Sequence, residues 1–73
     1  MNTDDTIYVP AGADITRTHG YYAKIVELYT DAPNEHGDQY MRLRVVRKDG
    51  SPSRRASDTR AAFIRVALVR KVA

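Results

Sequence analysis

Cysteine is missing from this 73-residue chain, which excludes disulfides and thiolate-bound metal centres. Long apolar runs are missing too, because no stretch approaches the roughly 20 residues that a membrane-spanning helix needs. The opening segment MNTDDTIYVPAGAD is acidic, whereas a signal peptide begins with basic residues. Together these absences predict a cytoplasmic protein that has no membrane partner.

Groups that catalyse reactions or hold metals are scarce. The two histidines, His19 and His36, are not spaced as a ligand pair, and the acidic segment around His36 lacks the calcium-loop pattern. The four glycines are scattered, so the chain has no glycine-rich phosphate loop. We therefore expect no enzymatic activity, no metal and no cofactor.

The length of the chain limits what it can form. Seventy-three residues make one small domain, 1–73, in which residues 1–6 and 71–73 are expected to fray. A domain of this size buries only about 60% of the surface that its unfolded chain exposes, so its hydrophobic core must be small.

Charge is divided unevenly along the chain. Residues 1–40 contain two basic and seven acidic side chains, a net charge of −5, whereas residues 41–73 contain ten basic and two acidic ones, a net charge of +8. The excess of positive charge in the second part favours a polyanionic partner. The alternative is that the two parts pack together and neutralise each other.

The segment from Gly20 to Asp31 gives two conflicting signals. Tyr22, Ile25, Val26 and Tyr29 have the spacing of one face of an amphipathic helix. The residue types are those of a strand, because tyrosine and β-branched side chains dominate and no strong helix start is present.

A resemblance favours the strand. The stretch YYAKIVELY, Tyr21–Tyr29, resembles the signature strand of Tudor domains, in which an aromatic pair, an alanine and a basic residue precede aliphatic residues. This resemblance implies a small SH3-like barrel. The Asp-Tyr-Gly-Asn turn that follows in that family is replaced here by TDAPNEHGDQ, so we carry over the strand and not the ligand-binding cage.

The next segment, Tyr40–Arg47, alternates regularly. Its apolar residues at 41, 43 and 45 would occupy one face, while Arg42 and Arg44 would occupy the other. This pattern predicts a half-buried strand with a cationic outer face. The two strands would then form a hairpin with a long loop, Thr30–Gln39.

The last third of the chain is less regular. Asp49-Gly50 predicts a type I′ turn, and Ser51–Arg60 a basic loop. Ala61–Val69 is interpreted as a strand buried on both faces that pairs with Tyr40–Arg47. The predicted fold is mainly β, a small SH3-like five-stranded barrel or a strongly bent antiparallel sheet. The alternative is an α+β fold with a helix at 20–31, at 58–71, or at both.

The predicted binding site follows from this arrangement. Arginines on alternate strand positions are roughly 6.5–7 Å apart, near the phosphate spacing of one nucleic acid strand, and the guanidinium group suits phosphate oxygens. Nearby tyrosines can stack on bases. The predicted phosphate-binding residues are Arg42, Arg44, Arg47, Lys48, Arg54, Arg55 and Arg60, and the predicted stacking residues are Tyr22, Tyr29 and Tyr40.

Three interpretations of function remain open. The first is a small basic domain that binds nucleic acid, DNA or RNA, through the arginine-rich strand and loop. The second is a protein-interaction module or small inhibitor that binds a larger protein partner, and the third is a structural homodimer that is sealed through its last apolar strand. For the residues themselves, the alternative is that the tyrosines serve in packing and the arginines form a solvated face. Either a monomer or a homodimer fits the composition.

Overall fold

A computed structural model describes residues 1–53 and 59–72, which form a five-stranded antiparallel sheet. The strands are β1 (Thr6–Val9), β2 (Tyr21–Leu28), β3 (Asp38–Val46), β4 (Thr59–Arg65) and β5 (Arg70–Lys71), and a 3₁₀ turn at Val66–Leu68 precedes β5. Their order across the sheet is β4-β3-β2-β1-β5. This architecture confirms the prediction of a mainly β fold with a bent antiparallel sheet.

The helical alternatives at 20–31 and 58–71 are wrong, because both segments contain a long strand. The first was ambiguous for a physical reason. In the pairing of β2 with β3, Ile25 lies opposite Leu43 and Glu27 opposite Arg42, so Val26 is an extra residue in a β-bulge. A bulge shifts the alternation of side chains by one residue. This shift gave β2 an apolar spacing that resembles a helix.

The core lies on one side of the sheet. Its largest fully buried side chains are Ile7, Ile25, Met41, Leu43 and Ile64, contributed by four different strands. Residues 39, 41 and 43 of β3 are buried while 42 and 44 are not, as the alternation predicted. The opposite side of β2, β3 and β4 is called the outer face below.

The segment between β1 and β2 reaches across to the far strand. The backbone N–H of Arg65 donates to the carbonyl of Ala13 at 2.8 Å, and Asp14 forms an isolated antiparallel bridge with Ile64. Strands β4 and β5 share no ladder in the described residues. The bent sheet is therefore drawn together by this segment rather than closed by strand pairing.

The turn after β3 differs from the prediction. A type I′ turn needs a positive φ at two successive residues, whereas Gly50, at 84°, is the residue of this turn that has one. The N–H of Gly50 donates to the carbonyl of Arg47 at 2.8 Å, and the Asp49 carboxylate accepts from the N–H of Ser51 at 2.9 Å. The hydroxyl of Ser51 also donates to this carboxylate, at 2.6 Å, and the two hydrogen bonds from Ser51 lower the pKa of Asp49. The side chain of Asp49 thus stabilises a turn that is not type I′.

β1 is an interior strand, since it pairs with both β2 and β5. Two expectations from the sequence change. β3 begins at Asp38, which shortens the predicted loop, and Gln39 is a buried strand residue. β4 is buried on one face only, because Ile64 is buried whereas Phe63 is 52% exposed.

Both ends of the described chain make backbone hydrogen bonds to the sheet. The N–H of Asp4 donates to the carbonyl of Ile25 at 2.8 Å, and the N–H of Val72 donates to the carbonyl of Thr6 at 2.9 Å. Within residues 1–53 and 59–72, no helix is long and apolar enough to cross a membrane.

Candidate nucleic-acid interface

Three aromatic rings lie side by side on the outer face. The ring centroids of Tyr29 and Tyr40 are 5.1 Å apart, and those of Tyr40 and Phe63 are 4.7 Å apart. Strand register explains the arrangement, since Tyr40 and Phe63 are direct partners between β3 and β4. Phe63 is 52% exposed and Tyr29 40% exposed. We call Tyr29, Tyr40 and Phe63 the aromatic row.

A positioned arginine adjoins this row. The Nε of Arg42 donates to the hydroxyl of Tyr29 at 2.8 Å, and its Nη1 donates to Oγ1 of Thr59 at 3.0 Å. The hydrogen bond to Tyr29 raises the pKa of Arg42. These two contacts hold a permanently charged guanidinium group beside the exposed rings.

Two further cations lie opposite each other next to Arg42. Lys24 on β2 and Arg44 on β3 are cross-strand partners, and both side chains are exposed. Like charges directly opposite each other destabilise a sheet. The carboxylate of Asp4 is 3.9 Å from Nζ of Lys24, but both groups are so exposed that this ion pair contributes little. A bound anion would reduce the repulsion between these two cations.

Tyr22 lies at the other end of the outer face. Its ring is 4.9 Å from that of Tyr8, and on β3 its partner is the buried Val46. Tyr8 in turn covers Gly20, where a Cβ atom would lie 2.1 Å from the tyrosine hydroxyl oxygen. Tyr22 therefore belongs to a packed aromatic pair rather than to the aromatic row.

Arg60 does not join the site that the sequence predicted. It lies in β4 rather than in a loop, and its partner on β3 is Leu43, a core residue. Its guanidinium group forms an ion pair with Asp14, which is 1% exposed. Arg60 therefore faces away from Arg42 and Arg44 and anchors the β1–β2 segment.

The remaining predicted residues divide between the turn and the part of the chain that is not described. Arg47 and Lys48 are exposed in the turn after β3, at the end of the outer face away from the aromatic row. Arg54 and Arg55 lie outside the described residues.

Two members of the outer face were missed from the sequence. Phe63 alternates with the buried Ala62 and Ile64, which marks it as an outward residue, but the apolar composition of Ala61–Val69 suggested burial on both faces. No sequence pattern distinguishes Lys24 from ordinary surface charge. Only its register against Arg44 reveals the paired cations.

The described residues offer no group of three histidine, aspartate or glutamate side chains that could hold a metal ion. Comparison of the chain with models of protein families, with curated proteins and with solved structures found no match. The resemblance of Tyr21–Tyr29 to the Tudor strand therefore stays a prediction.

Proposed function

We propose that this domain binds single-stranded nucleic acid on the outer face of β2, β3 and β4. The observation that carries the proposal is the exposed aromatic row next to Arg42, Arg44 and Lys24. Proteins that bind single strands combine rings on which bases stack with cations that follow the backbone. Bases in a duplex are already stacked and paired, so such rings favour unpaired strands.

The spacing along β3 fits such a ligand. Tyr40, Arg42 and Arg44 occupy alternate positions on one face, and alternate residues are about 7 Å apart. A short single strand that runs along β3 would place a base on the aromatic row and successive phosphates near the two arginines. In this proposal the domain binds its partner and catalyses no reaction.

The interface can be tested by fluorescence anisotropy with labelled single-stranded oligonucleotides and the variant Phe63→Ala. Phe63 is exposed, so the change should leave the fold intact while removing a stacking surface. Loss of one stacked base costs about 1–3 kcal/mol, which corresponds to roughly five- to 150-fold weaker binding. An unchanged affinity would contradict the assignment of the aromatic row.

The charged part of the site needs a matched control. Arg44→Gln and Arg70→Gln remove the same charge from exposed strand positions, but Arg70 lies on β5, three strands away from β3. Arg44→Gln should weaken binding and reduce the salt dependence by about one phosphate contact, whereas Arg70→Gln should have little effect. Equal effects would mean that net charge alone drives binding.

A protein partner is the second candidate, and exposed side chains in two segments favour it. Asp31 and Glu35 are exposed in the segment between β2 and β3, and Ile15 in the β1–β2 segment is 91% exposed. These side chains are available to a basic or apolar protein surface. Affinity capture from a cell lysate with and without nuclease separates the candidates, because a partner bound through nucleic acid is lost on nuclease treatment.

A further inference from the structure

A cleft of about 660 Å³ opens beside the start of β2 and β4, separate from the aromatic row. Its walls include Arg17, Thr18 and His19 from the segment before β2, and Thr59 and Arg60 from the beginning of β4. The ring of Tyr21 also lines it. No aspartate or glutamate is among the described residues that line this cleft.

Among the described residues, the buried carboxylate of Asp14 is hydrogen-bonded to side chains that line the cleft. Asp14 is 1% exposed and accepts hydrogen bonds from the hydroxyl of Tyr21 at 2.6 Å and from Oγ1 of Thr16 at 2.7 Å. It is also ion-paired with Arg60, whose Nη1 donates to Oγ1 of Thr16 at 2.9 Å. This network neutralises the charge of Asp14 and fixes the position of Arg60.

Arg17 and Arg60 line the same cleft as Tyr21. The Cζ atom of Arg60 is 5.9 Å from the centre of the tyrosine ring. Burial raises the pKa of Tyr21 to about 12, and the positive charge of Arg17 acts against this rise. Tyr21 therefore keeps its proton at neutral pH and adds no negative charge to the cleft.

The Nε of Arg60 is buried and has no hydrogen-bond acceptor among the described residues. Burial also lowers the pKa of Arg60, because the low-dielectric surroundings disfavour its charged form. Asp14 offsets the positive charge of Arg60. The positive charge of Arg17 has no such partner among the described residues that line the cleft.

We propose that this cleft binds a phosphate group, with Arg17 as its principal ligand and Arg60 and Thr18 as neighbouring donors. Arginine and hydroxyl groups without an exposed carboxylate form the donor set that phosphate oxygens require. The phosphate can come from a small phosphorylated molecule or from a nucleic acid strand. Thr59 lines the cleft and also accepts the hydrogen bond from Arg42, so the cleft adjoins the outer face.

The test is a titration with inorganic phosphate, followed by nuclear magnetic resonance of backbone amides at constant ionic strength. We expect saturable shifts confined to residues 16–21 and 59–60. Arg17→Gln should weaken phosphate binding at least fivefold, and Arg17→Glu should abolish it, whereas the matched variant Arg70→Gln should bind as tightly as the parent. Arg17 is exposed, so these changes should not affect folding.

Shifts that do not saturate, or equal affinities of the Arg17→Gln and Arg70→Gln variants, would overturn the phosphate site. Repeating the oligonucleotide titration with Arg17→Gln identifies whether the bound phosphate group belongs to a nucleic acid strand or to a small molecule. If this variant weakens both phosphate and oligonucleotide binding, the cleft takes a phosphate of the strand; if it weakens only phosphate binding, the ligand is a small molecule. The aromatic row is tested independently by Phe63→Ala, so either proposal can fail alone.

Discussion

Arg42 and Arg60 lie on neighbouring strands but face opposite sides of the sheet. Arg42 donates to two neutral hydroxyl groups on the outer face, and the carboxylate opposite it, Glu27 on β2, is exposed. Arg60 is ion-paired with the buried Asp14, which offsets its positive charge within the fold. The comparison teaches that the strand register decides whether the charge of an arginine is neutralised within the fold or exposed on the surface.

The largest effect is expected from removal of the buried carboxylate. Asp14→Ala leaves Arg60 without its counter-ion and deprives Tyr21 of its acceptor. Breaking a buried ion pair costs about 3–5 kcal/mol, and we expect a loss near the lower end because Arg60 is partly exposed. Urea denaturation measures the free energy of unfolding.

The control for that variant is Asp31→Ala, which removes a carboxylate from an exposed position. It should change the free energy of unfolding by less than about 0.5 kcal/mol. Equal losses in the two variants would show that the Asp14 network does not anchor the β1–β2 segment.

Charge reversal on the outer face should abolish binding without lowering the stability of the fold. Changing both Arg42 and Arg44 to glutamate should abolish binding of single-stranded oligonucleotides, because two cations become anions beside the aromatic row. The fold should survive, since Arg44 is exposed and Arg42 loses only contacts with hydroxyl groups. Circular dichroism and anisotropy check the two outcomes, and an unfolded double variant would mean that these arginines are structural.

A pH titration tests the network around Asp14, because the hydroxyl of Tyr21 donates to this carboxylate. The pKa of Tyr21 is raised from 10.0 to about 12 by burial. Between these values the unfolded chain releases the Tyr21 proton before the folded protein does. The contribution of Tyr21 to the free energy of unfolding is therefore fully present below pH 10 and is lost as the pH rises towards 12. Denaturation midpoints across this range measure the loss, and Tyr21→Phe should make it smaller.

The smallest effect is a gain in stability. Arg44→Thr removes the repulsion between cross-strand partners Lys24 and Arg44, so we expect the free energy of unfolding to rise by about 0.2–1 kcal/mol. Arg47→Thr is the control, because Arg47 lies in the turn beyond the end of β3. If Arg44→Thr gives no more stability than Arg47→Thr, the paired cations carry no cost, and this argument for an anionic ligand is lost.

The sequence predicted the strands whose side chains alternate, and it failed where the alternation is broken. β3 was recognisable because Met41 and Leu43 alternate with Arg42 and Arg44. β2 remained ambiguous because the bulge at Val26 interrupts its period. β4 was located, but its outward face was missed because Phe63 is as apolar as its buried neighbours.

The candidate site was predictable only in part. Tyr40, Arg42 and Arg44 share one strand face, which strand periodicity alone determines. The ion pair between Asp14 and Arg60 joins residues 46 positions apart, and no local pattern links them. Arg60 was therefore grouped with the outward arginines, although the strand register places it opposite Leu43.

The central claim is that the outer face binds single strands through its rings and cations, and the salt dependence of oligonucleotide affinity tests it most directly. If four of Lys24, Arg42, Arg44, Arg47 and Lys48 contact phosphates, log K should fall against log salt with a slope of about −3, since each contact with a single strand releases about 0.7 counterions. We predict this slope together with tighter binding of single than of double strands. Absence of binding below about 100 μM at low salt for both, which is weaker than much of the usual non-specific range, would contradict the account.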